Sequence, residues 1–394
     1  MELQPKYRIN SIDILRGLIM IIMAIDHTRD FFHLPAMTGN PLNPESTTVA
    51  VYFTRWITHF CAPTFVFLSG ISAYLSSLKK TKKEAGIFLI KRGLWLVLIE
   101  LTIVTFGITF NPFFGFIVLQ VIWAIGWSMV ILGALSLISY RAVFIVGLIL
   151  VFGHDIFDYL TLPTQGTGRV LTNVFFTAFN SIFPIGNTRV VADFYAILPW
   201  TGVMLLGYSI GYWFRKEMLP AQRRKLLLLT GSGLIILFIV LRYARAYGDP
   251  APRTDEVGFL PNLFSFLNAS KYPPSLQYVC MTLGPSILLL VVFEKMKNKL
   301  TDFFSVYGSV PFFYYILHFY LLHIICVIIF YATGHTNSQI IDPNTPFFFR
   351  PLFFGFRLPI VYLIWLFVIL ALYLPCRWFS RYKKTHNHWW LSFV

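Results

Sequence analysis

Six ionisable residues, Asp13, Arg16, Asp26, His27, Arg29 and Asp30, fall within one apolar run at roughly residues 12–33. A charge inside such a run is expensive, so it usually faces the interior of a helix bundle and marks function. At about 100° per helical residue, Asp13, Arg16, Met20, Met23, His27 and Asp30 share one stripe, while Asp26 and Arg29 are expected to point elsewhere. Arg16 and His27 are separated by about three turns, or roughly 16 Å. A guanidinium at one end suits phosphate oxygens, and a neutral imidazole at the other suits proton abstraction from a hydroxyl or amine. The simpler reading is that Arg16 snorkels to lipid headgroups and His27 caps its helix.

Other apolar runs supply further candidates. His59 follows Arg55 and Trp56 and precedes Pro63, which places it near the depth of His27. Two histidines and a carboxylate at one level suit a proton-transfer site. No HxxxH or HxxE spacing supports a metal, so a general-base histidine is the functional reading, with plain packing of His59 equally open. His318 and His323 lie five residues apart on one helix, about 140° around it, and so do not share one small site. Glu100 needs a cation or a proton, with Arg16 or Arg92 as possible partners. His154, Asp155 and Asp158 mark a helix that ends early. Asp193 precedes Leu198-Pro199-Trp200, where proline frees backbone carbonyls, and Asn268-Ala269-Ser270 forms a weak glycosylation sequon.

The elements that must position these groups are membrane helices. Hydrophobic residues make up 57% of 394 positions and charged residues 12%, with a mean hydropathy of +0.67. A soluble chain carries about twice that charged fraction. The apolar runs are continuous, not alternating, which excludes a β-barrel. We place spans at roughly 12–33, 56–78, 88–110, 115–139, 142–162, 194–214, 226–244, 275–293, 310–332 and 357–376. The expected fold class is therefore an all-α polytopic bundle of about ten spans. Most of the 32 basic residues then fall on one side, including Lys6, Arg8, Lys79 to Lys83, Lys91, Arg92, Arg215 to Lys225, Lys295 to Lys299 and Arg377 to Lys384. That asymmetry sets both ends in the cytoplasm. The net charge of +15 thus answers phospholipid headgroups and excludes a nucleic-acid partner. The four cysteines read as small buried hydrophobes, with no disulfide or metal role. No cleavable signal peptide is expected. The longer outer loops, such as the one containing Pro346 to Phe354, are expected to fold back over the bundle, leaving residues 1–394 a single domain.

Several short stretches, in order, carry a family resemblance. They are Arg8-Ile9-Asn10-Ser11-Ile12-Asp13-Ile14-Leu15-Arg16-Gly17, the Met23-to-Phe32 run with Asp26-His27, Ala62-Pro63-Thr64-Phe65-Val66-Phe67-Leu68-Ser69-Gly70, Leu198-Pro199-Trp200 with Gly207, Pro274-Ser275-Leu276 with Thr282-Leu283-Gly284, and Pro311 to His323. The chain resembles the bacterial branch of the heparan-alpha-glucosaminide N-acetyltransferase catalytic-domain family. The spacing of Arg16 and His27 is also similar to that of membrane O-acyltransferases acting on bacterial surface glycans.

The resemblance implies a membrane-embedded acyltransferase in the bacterial inner membrane. Its donor would be cytoplasmic acetyl-CoA or another acyl-CoA, its acceptor an amino sugar or glycan hydroxyl outside, and it would need no metal; a homodimer is compatible with it. His27 would be the general base, oriented by His59 or Asp30, with His318 a further catalytic candidate and Arg16 and Arg92 binding the donor. In the animal heparan enzyme the catalytic histidine lies in the first external loop. Here no histidine lies between Leu34 and Arg55, so heparan itself is not implied as substrate. The rival reading is a secondary transporter or proton-coupled permease, which intramembrane carboxylates and histidines would also serve. A non-catalytic scaffold would leave the charges of the first span unexplained.

Overall fold

The computed structural model describes residues 9–43, 47–178 and 181–393; Lys6 and Arg8 lie outside the described residues. Helices form where the apolar runs predict them. In chain order they are α1 (Asn10–Phe32), α2 (Val49–Thr58), α3 (Cys61–Ser77), α4 (Lys82–Ile99), α5 (Thr105–Thr109), α6 (Val121–Ile138), α7 (Tyr140–Gly153), α8 (Gly166–Thr172), α9 (Ile197–Ile210) and α10 (Pro220–Ala244). There follow α11 (Phe259–Leu267), α12 (Leu276–Lys295), α13 (Lys299–Ser309), α14 (Pro311–Ala332) and α15 (Leu358–Thr385). Local chemistry sets several starts. Thr81 and Glu84 form a capping box on α4, Asn298 and Thr301 one on α13, and prolines open α10, α14 and α15.

Among the described residues, seven helical stretches are long and apolar enough to cross a membrane. They are Val49–Ser77, Val121–Ile138, Tyr140–Tyr159, Pro220–Ala244, Leu276–Lys295, Pro311–Ala332 and Leu358–Thr385. Three of the ten expected spans fall short of that standard. Helix α1 is interrupted by its charges, the α4–α5 stretch by Lys91, Arg92 and Glu100, and α9 has only 14 residues. Two boundaries also change. The helix containing Glu100 widens to a π-turn over Glu100–Val104. The run expected to span 115–139 begins as strand β1 (Phe116–Leu119), so α6 starts only at Val121. Four apolar residues suit a strand as well as a helix. Here β1 pairs in parallel with β3 (Arg189–Asp193), which pairs antiparallel with β2 (Ile182–Ile185).

Small residues bring α1 against its neighbours. A Cβ placed on Gly17 would lie 1.8 Å from the Phe304 carbonyl oxygen, and one on Gly308 would lie 1.8 Å from the Asp13 carbonyl oxygen. Helices α1 and α13 therefore touch backbone to backbone, the close approach that small residues permit between membrane helices. Gly308→Ala is expected to push α13 off α1 and to sharply reduce the yield of monodisperse protein in detergent. Gly233→Ala, whose added Cβ meets nothing within 4 Å, serves as the control.

Loop 333–357 folds back over one end of the bundle. The Phe348 N–H donates to the Thr109 carbonyl, and Phe354 is buried. The fully buried Arg350 donates to the carbonyls of Asp30 at 2.9 Å and His33 at 3.2 Å. A second long loop is held by Arg242, which donates to the carbonyls of Ala251, Ser265, Phe266 and Asn268 and pairs with Asp249. This clamp fixes the segment that carries Lys271.

Candidate active site

Two of the cavities lined by α1 border its ionisable stripe. The first, about 90 Å³, is lined by Arg16, Met20, Phe65, Arg92, Val121 and Tyr315 among others. The second, about 30 Å³, is lined by Met23, Asp26, His27, Phe65, Gln120, Val121, Tyr195 and Lys271 among others. Phe65 and Val121 border both. The α1 stripe thus runs from a cavity with two guanidiniums to a cavity with an imidazole, and Met20 and Met23 furnish apolar wall between them.

His27 is bonded to His318, with 2.6 Å between His27 Nδ1 and His318 Nε2. The other nitrogen of His318, Nδ1, lies 3.3 Å from the Tyr314 carbonyl oxygen. A carbonyl only accepts, so His318 Nδ1 carries the proton, and a neutral His318 must accept at Nε2. His27 then donates from Nδ1, which leaves its Nε2 with a free lone pair. Phe319 stacks on the His27 ring at 4.4 Å and holds its plane. His323 turns away, as the helical spacing predicts, to bond the Phe348 carbonyl and stack on Phe110 at 3.9 Å.

The other expected partners of His27 are placed differently. His59 makes no hydrogen bond to His27. Its carbonyl accepts from the Tyr278 hydroxyl, and its buried Nδ1 has no partner among the described residues. Asp30 lies almost a full turn beyond His27 and is held by Arg29 at 2.7 Å. Asp26, expected to point away, lines the His27 cavity instead. Arg55 of α2 reaches across to pair with it, and Arg29 adds a contact at 3.3 Å. An ion pair between helices decided its direction, and helical phase alone does not contain that information.

The two arginines of the first cavity differ. Arg16 bonds Ser72 Oγ at 2.6 Å, the Gly308 carbonyl at 3.1 Å and Asp13 at 3.3 Å, so it ties α1 to α3 and α13. Arg92 has no ion pair or hydrogen bond among the described residues, and its Nε is buried without a partner. Neither arginine meets Glu100, contrary to expectation. Glu100 is fully buried and accepts the Gln120 backbone N–H at 2.7 Å, fixing the β1–α6 turn beside the His27 cavity.

Lys271 is the residue that sequence reasoning missed. It sits near the rings of Tyr272 at 5.0 Å and Tyr195 at 5.8 Å and lines the His27 cavity. Its setting among Pro, Ser and Asn reads as solvated loop; the only available signal was the run of aromatic and proline residues that follows it. Asp155, at the early helix end, accepts the Leu276 N–H at 3.0 Å and acts structurally. Among the described residues, no group of three or more His, Cys, Asp or Glu is placed to hold a metal ion.

The sequence profile of the family described as heparan-alpha-glucosaminide N-acetyltransferase, catalytic, matches residues 8–241. That segment contains Arg16, Asp26, His27, Arg55 and Arg92, whereas Lys271 and His318 lie beyond it. No curated protein matches the chain significantly. With more than half of its length matched, this integral membrane protein belongs to the heparan-alpha-glucosaminide N-acetyltransferase catalytic family, a family of acetyltransferases that use acetyl-CoA.

Proposed function

We propose that the protein moves an acetyl group from acetyl-CoA at the Arg16–Arg92 end of α1 to an amine or hydroxyl at the His27 end. In this reading it is one catalytic domain of the bacterial branch, set in the inner membrane. Helix α1, the α4–α5 stretch and α9 cross with the seven apolar stretches, for ten crossings with both ends inside. The donor then enters from the cytoplasm and the acceptor, an amino sugar or glycan of the envelope, from outside. The observation that supports the proposal is the His27–His318 pair, whose bonding favours the tautomer with His27 Nε2 unprotonated, on a residue that lines a cavity next to that of the two arginines.

Each residue has a chemical part. The unpartnered Arg92 Nε fits a donor phosphate, with Arg16 adding charge while serving as a helix tie. The apolar wall at Met20 and Phe65 suits the uncharged arm of the donor, whose thioester supplies the activated acyl carbon. His27 Nε2 takes the acceptor's proton as the acceptor heteroatom bonds that carbon, and returns it to the thiolate released when the C–S bond breaks. His318 stabilises the positive charge that His27 gains in between. Lys271 supplies a cation for the oxyanion of the tetrahedral intermediate.

Reconstitution into sealed liposomes tests the reading. With acetyl-labelled donor on the arginine side and glucosamine on the other, covalently acetylated amine is expected in the compartment opposite the donor. Glucosamine crossing unmodified, with no label transferred, would replace the proposal with transport. Phe65→Trp, which fills the wall shared by both cavities, is expected to lower transfer about tenfold or more, given the cost of overpacking a filled site. Equal rates would place the acyl path elsewhere.

A further inference from the structure

A third cavity, of about 530 Å³, opens at the end of the bundle where the Lys79-to-Lys83 loop joins α3 to α4. Its lining includes Tyr74, Tyr208, Tyr212, Lys80, Lys82 and Arg215 and, among the described residues, no carboxylate. It shares no residue with the Arg16–Arg92 cavity, so it is a separate site.

One donor lacks a partner and a second faces it. Tyr74 is 3% exposed and its hydroxyl lies against the Arg215 side chain, while the Nε of Arg215 is buried without a partner among the described residues. The neighbouring hydroxyls are occupied: Tyr140 donates to the Ser209 carbonyl at 2.6 Å, and Tyr208 lies 3.5 Å from Ser77 Oγ. The Arg215 guanidinium stacks on Tyr212 at 4.4 Å and also approaches the Tyr74 ring, at 5.4 Å, so its plane is set. Gly211 makes this possible, because a Cβ there would lie 2.6 Å from that of Tyr74. A buried guanidinium nitrogen left unpaired is costly. With a tyrosine hydroxyl beside it and two lysines lining the same cavity, it suits a ligand with several acceptor oxygens and negative charge.

We propose that this cavity binds the phosphate of an anionic phospholipid headgroup, with Arg215 and the Tyr74 hydroxyl as its principal donors and Lys80 and Lys82 as supporting charge. Phosphate supplies the acceptor oxygens, and a stacked arginine is suited to it. The lipid source follows from the exposed Leu78, Tyr140 and Tyr212 among its lining, an aromatic and apolar border of the kind found at the membrane interface. The site is independent of the proposed transfer chemistry.

Full-length protein purified in zwitterionic detergent, titrated with phosphatidylglycerol or phosphatidylcholine and read by native mass spectrometry, tests this. Wild type is expected to retain phosphatidylglycerol preferentially. Arg215→Ala should lower that retention about tenfold, and Tyr74→Phe should lower it severalfold with the melting temperature in neutral detergent unchanged. A parallel arm uses millimolar inorganic phosphate. Stabilisation by phosphate, lost in Arg215→Ala, with no lipid preference would overturn the lipid source in favour of a free phosphate ester. If both variants retain phosphatidylglycerol as wild type does, the site assignment fails. A Tyr74→Phe protein that is more stable with retention unaltered fails it too, since the hydroxyl is then only a buried liability.

Discussion

His27→Ala is expected to lower the rate of acetyl transfer by about 10²–10⁴-fold, the range that a positioned general base contributes. Donor affinity should be nearly unchanged, because the donor phosphates are assigned to the other end of α1. The sharper test lies at His318. If His318 Nε2 accepts the His27 Nδ1–H, as the 2.6 Å contact and the Tyr314 carbonyl require, then glutamine should replace it better than an apolar ring. A glutamine side-chain oxygen can accept that N–H and keep His27 in the tautomer with Nε2 free. Phenylalanine fills the space among Tyr314, Tyr315 and Phe319 but accepts nothing. We expect His318→Gln to keep most of kcat and His318→Phe to lose one to two orders of magnitude, with an altered pH profile. Equal loss in both, with the profile of wild type, would reduce His318 to packing.

The sequence made α1 legible because ionisable residues inside an apolar run stand out, and a 100° period assigns them faces without knowledge of the neighbours. It likewise separated His318 from His323. It failed wherever a partner came from a distant element. Asp26 turns into the cavity because Arg55 approaches from α2. Glu100 Oε1 accepts a backbone N–H that is available because Phe116–Leu119 is a strand, not helix, while its Oε2 is buried without a partner among the described residues. Lys271 becomes a cavity residue because Arg242, 29 positions earlier, gathers four loop carbonyls and folds the segment inward. Long-range hydrogen bonding is the information that periodicity and composition lack.

Arg92 gives the second large effect. It sits next to Gly93, whose added Cβ would lie 2.4 Å from the Gly126 carbonyl oxygen, so the α4–α6 crossing fixes its backbone firmly. Its side chain lines the cavity with no carboxylate among the described residues to neutralise it. A charge-assisted hydrogen bond to a phosphate is worth about 1.5–3 kcal/mol. Arg92→Ala should therefore weaken acetyl-CoA binding by about 10–100-fold and leave kcat at saturation close to wild type. Arg16→Ala would be less informative. It would also remove the donor shared by the Gly308 carbonyl and Ser72 Oγ and loosen the α1 contacts with α13 and α3. The decisive comparison uses acetyl-pantetheine, which has the thioester but none of the phosphates. If Arg92 holds a phosphate, wild type and Arg92→Ala bind this truncated donor equally, and the defect appears only with acetyl-CoA. A defect of the same size with both donors would mean that Arg92 supports the cavity wall. The phosphate contacts would then have to be sought elsewhere on the basic side of the bundle.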